Sequence, residues 1–139
     1  MAGKKEELVT NAFYLLDSLI IRLERLNYVL EIVLGNYEAS GLEKDEEKKL
    51  ASLTELKQEK ILTEKDIRDA VTFIGECAEQ IQSAKKNIIG NGKKVLVNLS
   101  NAKGYLAKLQ IFSIPCKEEY GILGEAKSLL KKIRILEDA

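Results

Sequence analysis

The stretch "NIIGNGKKVLVNL", Asn87 to Leu99, decides the fold. It reads in two ways. As a hairpin, Asn91-Gly92 forms a two-residue type I′ turn between runs rich in Ile and Val. As a bend, its Gly-Asn-Gly stops one helix and releases the next. A lone two-stranded hairpin is marginal in water, and no third strand presents itself in the sequence. Upstream, Ile67, Val71, Ile74, Ala78, Ile81 and Ile88 follow a helical period. Downstream, Val95, Leu99, Ala102, Leu106 and Leu109 do the same. Steps of three and four place such residues along one helical face. We therefore expect a helix-turn-helix across residues 86–98, with the hairpin as the alternative.

Working outward, the upstream helix begins near Ser40. "SGLE" has capping-box form, with Glu43 reaching back toward Ser40. The acidic cluster at 43–47 suits the positive end of the helix dipole. A calcium loop needs alternating oxygen ligands and a central glycine, which this cluster lacks. "TEKD", Thr63 to Asp66, offers a second cap. No Gly or Pro interrupts that point, so one long, bent helix to Ile88 is expected. The first segment, Lys5 to Leu34, repeats apolar residues at Leu8, Ala12, Leu15, Leu19, Leu23, Leu26, Leu30 and Val33. It makes a rod of about 45 Å, ended by Gly35-Asn36. A third helix is expected from Lys93 to Phe112, where Gly104 invites close approach of a neighbour. A fourth follows "SIP" at 113–115, with Pro115 at its first helical position. Lys127, Lys131, Lys132 and Arg134 crowd its last turns, the negative end of its dipole.

Short connections make consecutive helices antiparallel neighbours. The expected fold is all-α: one domain spanning 1–139, an antiparallel up-and-down helical bundle of about four helices with a long second helix. That helix overhangs its partners or pairs with another chain in the manner of a coiled coil, exposing Leu53 and Leu56.

The composition narrows the chemistry. Of 139 residues, 45 % are hydrophobic and 32 % charged, which suits a globular chain with a real core and not a disordered one. There is no histidine, so the commonest general base and metal ligand are missing. Cys77 and Cys116 have neither CxxC spacing nor a histidine to complete a zinc site. Free thiols in a reducing compartment are expected. Cys77 has no base to activate it as a nucleophile. "GNGKK" lacks the first glycine and the Ser/Thr of a phosphate loop. No enzymatic activity, metal or other cofactor is expected.

"MAGKKEELV" lacks a signal-peptide apolar run and the glycine of a myristoylation site. The most apolar segment, Phe13 to Leu34, carries five charges, which argues against a membrane span. The expected location is cytoplasmic, with no membrane partner.

Net charge is zero but unevenly spread. Residues 1–79 hold 11 basic and 17 acidic side chains, a net of −6, and residues 80–139 hold 11 basic and 5 acidic, a net of +6. Either the halves attract one another in the bundle, or the basic half faces an acidic partner. The leading functional expectation is a non-catalytic protein-interaction module, a small adaptor, chaperone or inhibitor of another complex, acting through amphipathic helix faces on another protein or on itself. Tyr28, Tyr37, Leu53 and Leu56 are the expected apolar docking residues, and Lys86, Asn91, Lys93 and Lys94 the residues for an acidic partner. The alternative is a nucleic-acid-binding accessory subunit using lysines of the C-terminal half against phosphates, with Asn87, Asn91, Asn98 and Asn101 as hydrogen-bonding groups and Tyr105 as a stacking face.

Overall fold

The computed structural model describes residues 3–138. It contains five helices: α1 (Gly3–Val33), α2 (Lys44–Gln58), α3 (Glu64–Asn87), α4 (Gly92–Ile111) and α5 (Lys117–Asp138). There is no strand among the described residues, so Asn87–Leu99 forms a helix-turn-helix and not a hairpin. Gly90 supplies the left-handed bend, at φ +91°. Asn91 then caps α4, its side chain accepting the Lys94 N–H at 3.4 Å.

The helices α1, α3, α4 and α5 contact in a closed ring, each touching two others in the order α1, α3, α4, α5 and back to α1. Leu16, Leu19, Leu23 and Leu30 of α1, Ile67 and Ile81 of α3, and Leu99, Leu106 and Leu109 of α4 are almost completely buried inside it. Leu123, Leu130 and Ile133 close it from α5. Along the seams, Lys5 meets Glu137 at 3.4 Å, Arg22 pairs with Glu118, and Lys85 pairs with Asp17. Exposed pairs of this kind contribute little each, so apolar burial holds the ring and the ion pairs mark its seams. Between α3 and α4, Asn98 donates to Gln80 Oε1 at 2.9 Å and Cys77 Sγ donates to the Ala102 carbonyl at 3.6 Å.

The expected long second helix is two helices. After Gln58 the chain turns through Lys60, whose φ is +61°. The Ile61 N–H reaches the Leu56 carbonyl at 3.0 Å and the Lys60 N–H reaches that of Lys57 at 3.1 Å. This paired pattern is a Schellman stop, usually built on glycine because a side chain in the left-handed region costs about 1–2 kcal/mol. Here a lysine bears that cost. Thr63 then caps α3 in a reciprocal box with Asp66, at 3.0 and 3.1 Å. The same stop ends α1 at Gly35 and α4 at Ser113.

The remaining shifts are smaller. The capping box of α2 falls on Glu43 and Glu46 and not on Ser40 and Glu43. Arg25 is the reason, since it grips the Glu46 carboxylate through two hydrogen bonds of 2.7 Å. Pro115 lies two residues before α5, not within it. Ser113 at φ +61° leaves the Cys116 carbonyl to accept the first helical N–H, from Tyr120. The last turn of α5 carries Glu137 and Asp138 and no base, so Lys127, Lys131, Lys132 and Arg134 sit one or more turns earlier. A side chain added at Gly104 would meet nothing within 4 Å, so no helix of this chain approaches it.

Folding back at Lys60 lays α2 on α1. Leu53 points into the core with no exposure, and Lys57 Nζ donates to the Val33 carbonyl at 3.0 Å. The expected overhang does not occur, and Leu53 is not a surface residue. Leu53→Ala should destabilise the chain by about 2–5 kcal/mol in urea unfolding. Lys60→Gly should stabilise it by about 1 kcal/mol by removing the left-handed penalty. A loss on placing glycine there would contradict the stop described.

Candidate functional site

The polar surface divides into three regions. The first is the lysine face. From Gln80 to Lys117 the chain carries seven lysines and no Asp or Glu. Lys85 is spent on Asp17, and Lys108 lies over the rings of Phe73 and Tyr105, 4.9 and 5.2 Å from their centroids. Lys86, Lys93, Lys94 and Lys103 are exposed. Among them stand exposed apolar side chains: Ile89 at 75 % and Val97 at 57 %, with Ile111 at 78 % near the far end of α4. The structure thus brings Lys86, Lys93 and Lys94 to one end of the ring, at the α3–α4 turn. Asn91 sits with them but its side chain already serves as the cap.

The other asparagines are also engaged. Asn87 donates to the Ser83 carbonyl at 2.7 Å, Asn98 is buried against Gln80, and Asn101 reaches the same Gln80 oxygen at 3.4 Å. Tyr105 is stacked on Phe73, with centroids 6.4 Å apart at 26°, and Phe112 also stacks on Phe73, at 6.2 Å and 9°.

The second region holds the tyrosines. The Tyr28 hydroxyl lies 3.1 Å from the Glu38 carbonyl and 3.2 Å from that of Ser40, tying the α1–α2 loop to α1. The Arg25 guanidinium lies over its ring at 5.3 Å. Tyr28 is therefore a loop clamp. Tyr37 packs beside it, 5.9 Å between centroids, and remains 57 % exposed. Leu56 is half-buried against the core. Of the four apolar docking residues expected from the sequence, Tyr37 presents a largely open surface.

The third region escaped the sequence reading. A groove of about 560 Å³ runs between α1, α2 and the start of α5. Tyr14, Ile21, Arg22, Arg25, Lys49, Asp45 and Glu119 are among its lining residues. Glu119 is 2 % exposed, and its Oε2 is fully buried with no hydrogen-bond partner. Leaving a buried acceptor unmatched costs about 1–3 kcal/mol. Nothing in "CKEEYG" distinguishes Glu119 from Glu118, which is exposed and paired with Arg22; only the placement of α1 and α2 separates them.

Arg22, Arg25 and Asp17 of the groove are engaged in ion pairs, with Glu118, Glu46 and Lys85. Glu46 is held below the usual carboxylate range, first by the Arg25 hydrogen bonds, and the same bonds raise Arg25. Among the described residues no group of three or more acidic or thiol side chains is placed to hold a metal ion. No described helix is long and apolar enough to cross a membrane.

Both thiols are free and buried. Burial pushes Cys77 up to about 12, and burial with the nearby Glu119 charge pushes Cys116 up to about 11. Neither is a nucleophile near neutral pH, since the thiolate is the reactive form. No known protein family, curated protein or solved structure matches the chain.

The thiols carry a pH prediction. Their folded values lie above the ordinary 9.0. The stability they contribute is therefore complete below pH 9 and declines as pH rises through about 11 and 12. Urea midpoints from pH 8 to 11 should fall less in a Cys77→Ala, Cys116→Ala chain than in the native one. Equal slopes would contradict the assignment.

Proposed function

We propose that the chain is a non-catalytic protein-interaction module, an up-and-down bundle of antiparallel helices whose lysine face docks an acidic surface of another protein. One observation supports this reading: a continuous acid-free stretch, Gln80 to Lys117, carries exposed Ile and Val among its exposed lysines. Lysines at the rim of a contact steer association and discriminate partners by charge, while Ile89 and Val97 supply apolar area to bury. Lys86, Lys93 and Lys94 are the central basic residues of the surface, and Asn91 fixes the turn that presents them.

One feature speaks against catalysis: burial holds both thiols in their unreactive protonated form near neutral pH. An adaptor, a chaperone and an inhibitor of a larger complex would all use such a face.

The same lysines support a second reading, nucleic-acid contact through phosphates. The stretch contains no arginine, the residue whose fork best matches phosphate and guanine, and three of the asparagines expected to help are held by internal hydrogen bonds.

Titration with an acidic polypeptide and with duplex DNA over a range of salt separates the two. The interaction module predicts binding to the polypeptide that Lys93→Glu with Lys94→Glu weakens by about tenfold or more. Tighter binding to duplex, with affinity falling linearly on log–log axes against salt, would favour the nucleic-acid reading instead. No binding to either at low salt would overturn both.

A further inference from the structure

The groove between α1, α2 and α5 holds a carboxyl oxygen with nothing to bind. Most of its charged neighbours are engaged, Arg25 by Glu46 and the Gly41 carbonyl, Arg22 by Glu118, and Asp17 by Lys85, whereas Asp45 and Lys49 form no ion pair among the described residues. The Glu43 side chain accepts the Glu46 backbone N–H within the capping box. Glu119 Oε2 is buried and unmatched, in the wall of a groove whose size falls in the usual range for small ligands. Five acidic and three basic side chains line it, so its local field favours a cation.

The remainder of the lining narrows the cation's chemistry. An unmatched acceptor calls for a donor, so an N–H-bearing cation fits where a bare charge does not. Ile21, Leu26 and Val29 offer an apolar wall for a short alkyl chain, and Tyr14 an aromatic one. The absence of a cluster able to hold a metal among the described residues points away from a divalent ion.

We propose that this groove binds a small primary alkylammonium compound, which donates an N–H to the Glu119 carboxylate and lays its carbon chain along Ile21 and Leu26. Lys49, which lines the same groove, is a tethered ammonium that competes for the site. The groove lies apart from the lysine face, and this inference stands independently of the docking reading.

Butylammonium chloride is the probe, followed by amide chemical shifts of the full chain, with sodium chloride added to match ionic strength. The native chain should show saturable shifts at Ser18, Ile21 and Lys49. Tetramethylammonium, which has charge but no N–H, should bind at least about tenfold more weakly. Glu119→Gln should weaken butylammonium by a similar factor, and Lys49→Met should strengthen it. Glu119→Met should abolish binding while raising the melting temperature, a combination that a carboxyl needed only for the fold would not give. Equal binding of the two cations, unchanged affinity in Glu119→Gln, or no saturable shift in the native chain would each overturn the proposal. If Glu119→Gln fails to fold, the tetramethylammonium comparison and Lys49→Met still decide it.

Discussion

The left-handed turn at Lys60 is the constraint on which the rest of the molecule depends. A continuous helix from Lys44 to Asn87 would carry Leu53 away from α1 and leave it in water. The turn breaks the helix so that α2 lies on α1 while α3 enters the ring, and Leu53 becomes fully buried. The turn is held by the two bonds of its Schellman pattern on one side and by the Thr63–Asp66 box on the other. Together they satisfy backbone groups that a helix end otherwise leaves without partners. The backbone strain at one lysine is offset by the apolar surface that folding back removes from water.

The all-α class, the ends of α1 and the helix-turn-helix at Asn87–Leu99 were legible from apolar spacing and glycine placement. The break at Lys60 was not. "TEKD" announced a helix start, but the stop before it rests on a residue type that normally continues a helix. The end of α4 near Phe112 was legible, but the left-handed turn at Ser113 was not, and it displaces α5 past Pro115. A sequence shows which residues enter the left-handed region easily; it does not show where tertiary packing forces others to do so. The box at Ser40 moved to Glu43 because Arg25, from a different helix, holds Glu46.

The candidate sites divide along the same line. The lysine face is a property of linear sequence, an unbroken acid-free stretch, and helical geometry only gathers it. The groove is a property of three elements meeting, so Glu119 reads as one more first-turn carboxylate until α1 and α2 are in place. Tyr28 shows the same dependence on tertiary structure: its hydroxyl holds the loop that leads to α2, which its sequence context does not announce. One ion pair, Asp17–Lys85, joins an acid of the acidic half to a base of the basic half, while Arg22–Glu118 and Lys5–Glu137 run in the opposite sense. Internal attraction therefore accounts for little of the charge asymmetry, and Lys86, Lys93 and Lys94 lie outside those pairs.

The helix breaks between α2 and α3. Spin labels at the exposed positions Lys48 and Gln82, introduced as cysteines while the native thiols stay buried, measure it by double electron–electron resonance. With both helices packed on α1, the label-to-label distance should lie below about 30 Å. A distance near 50 Å, the length of an unbroken helix between those positions, would contradict the account.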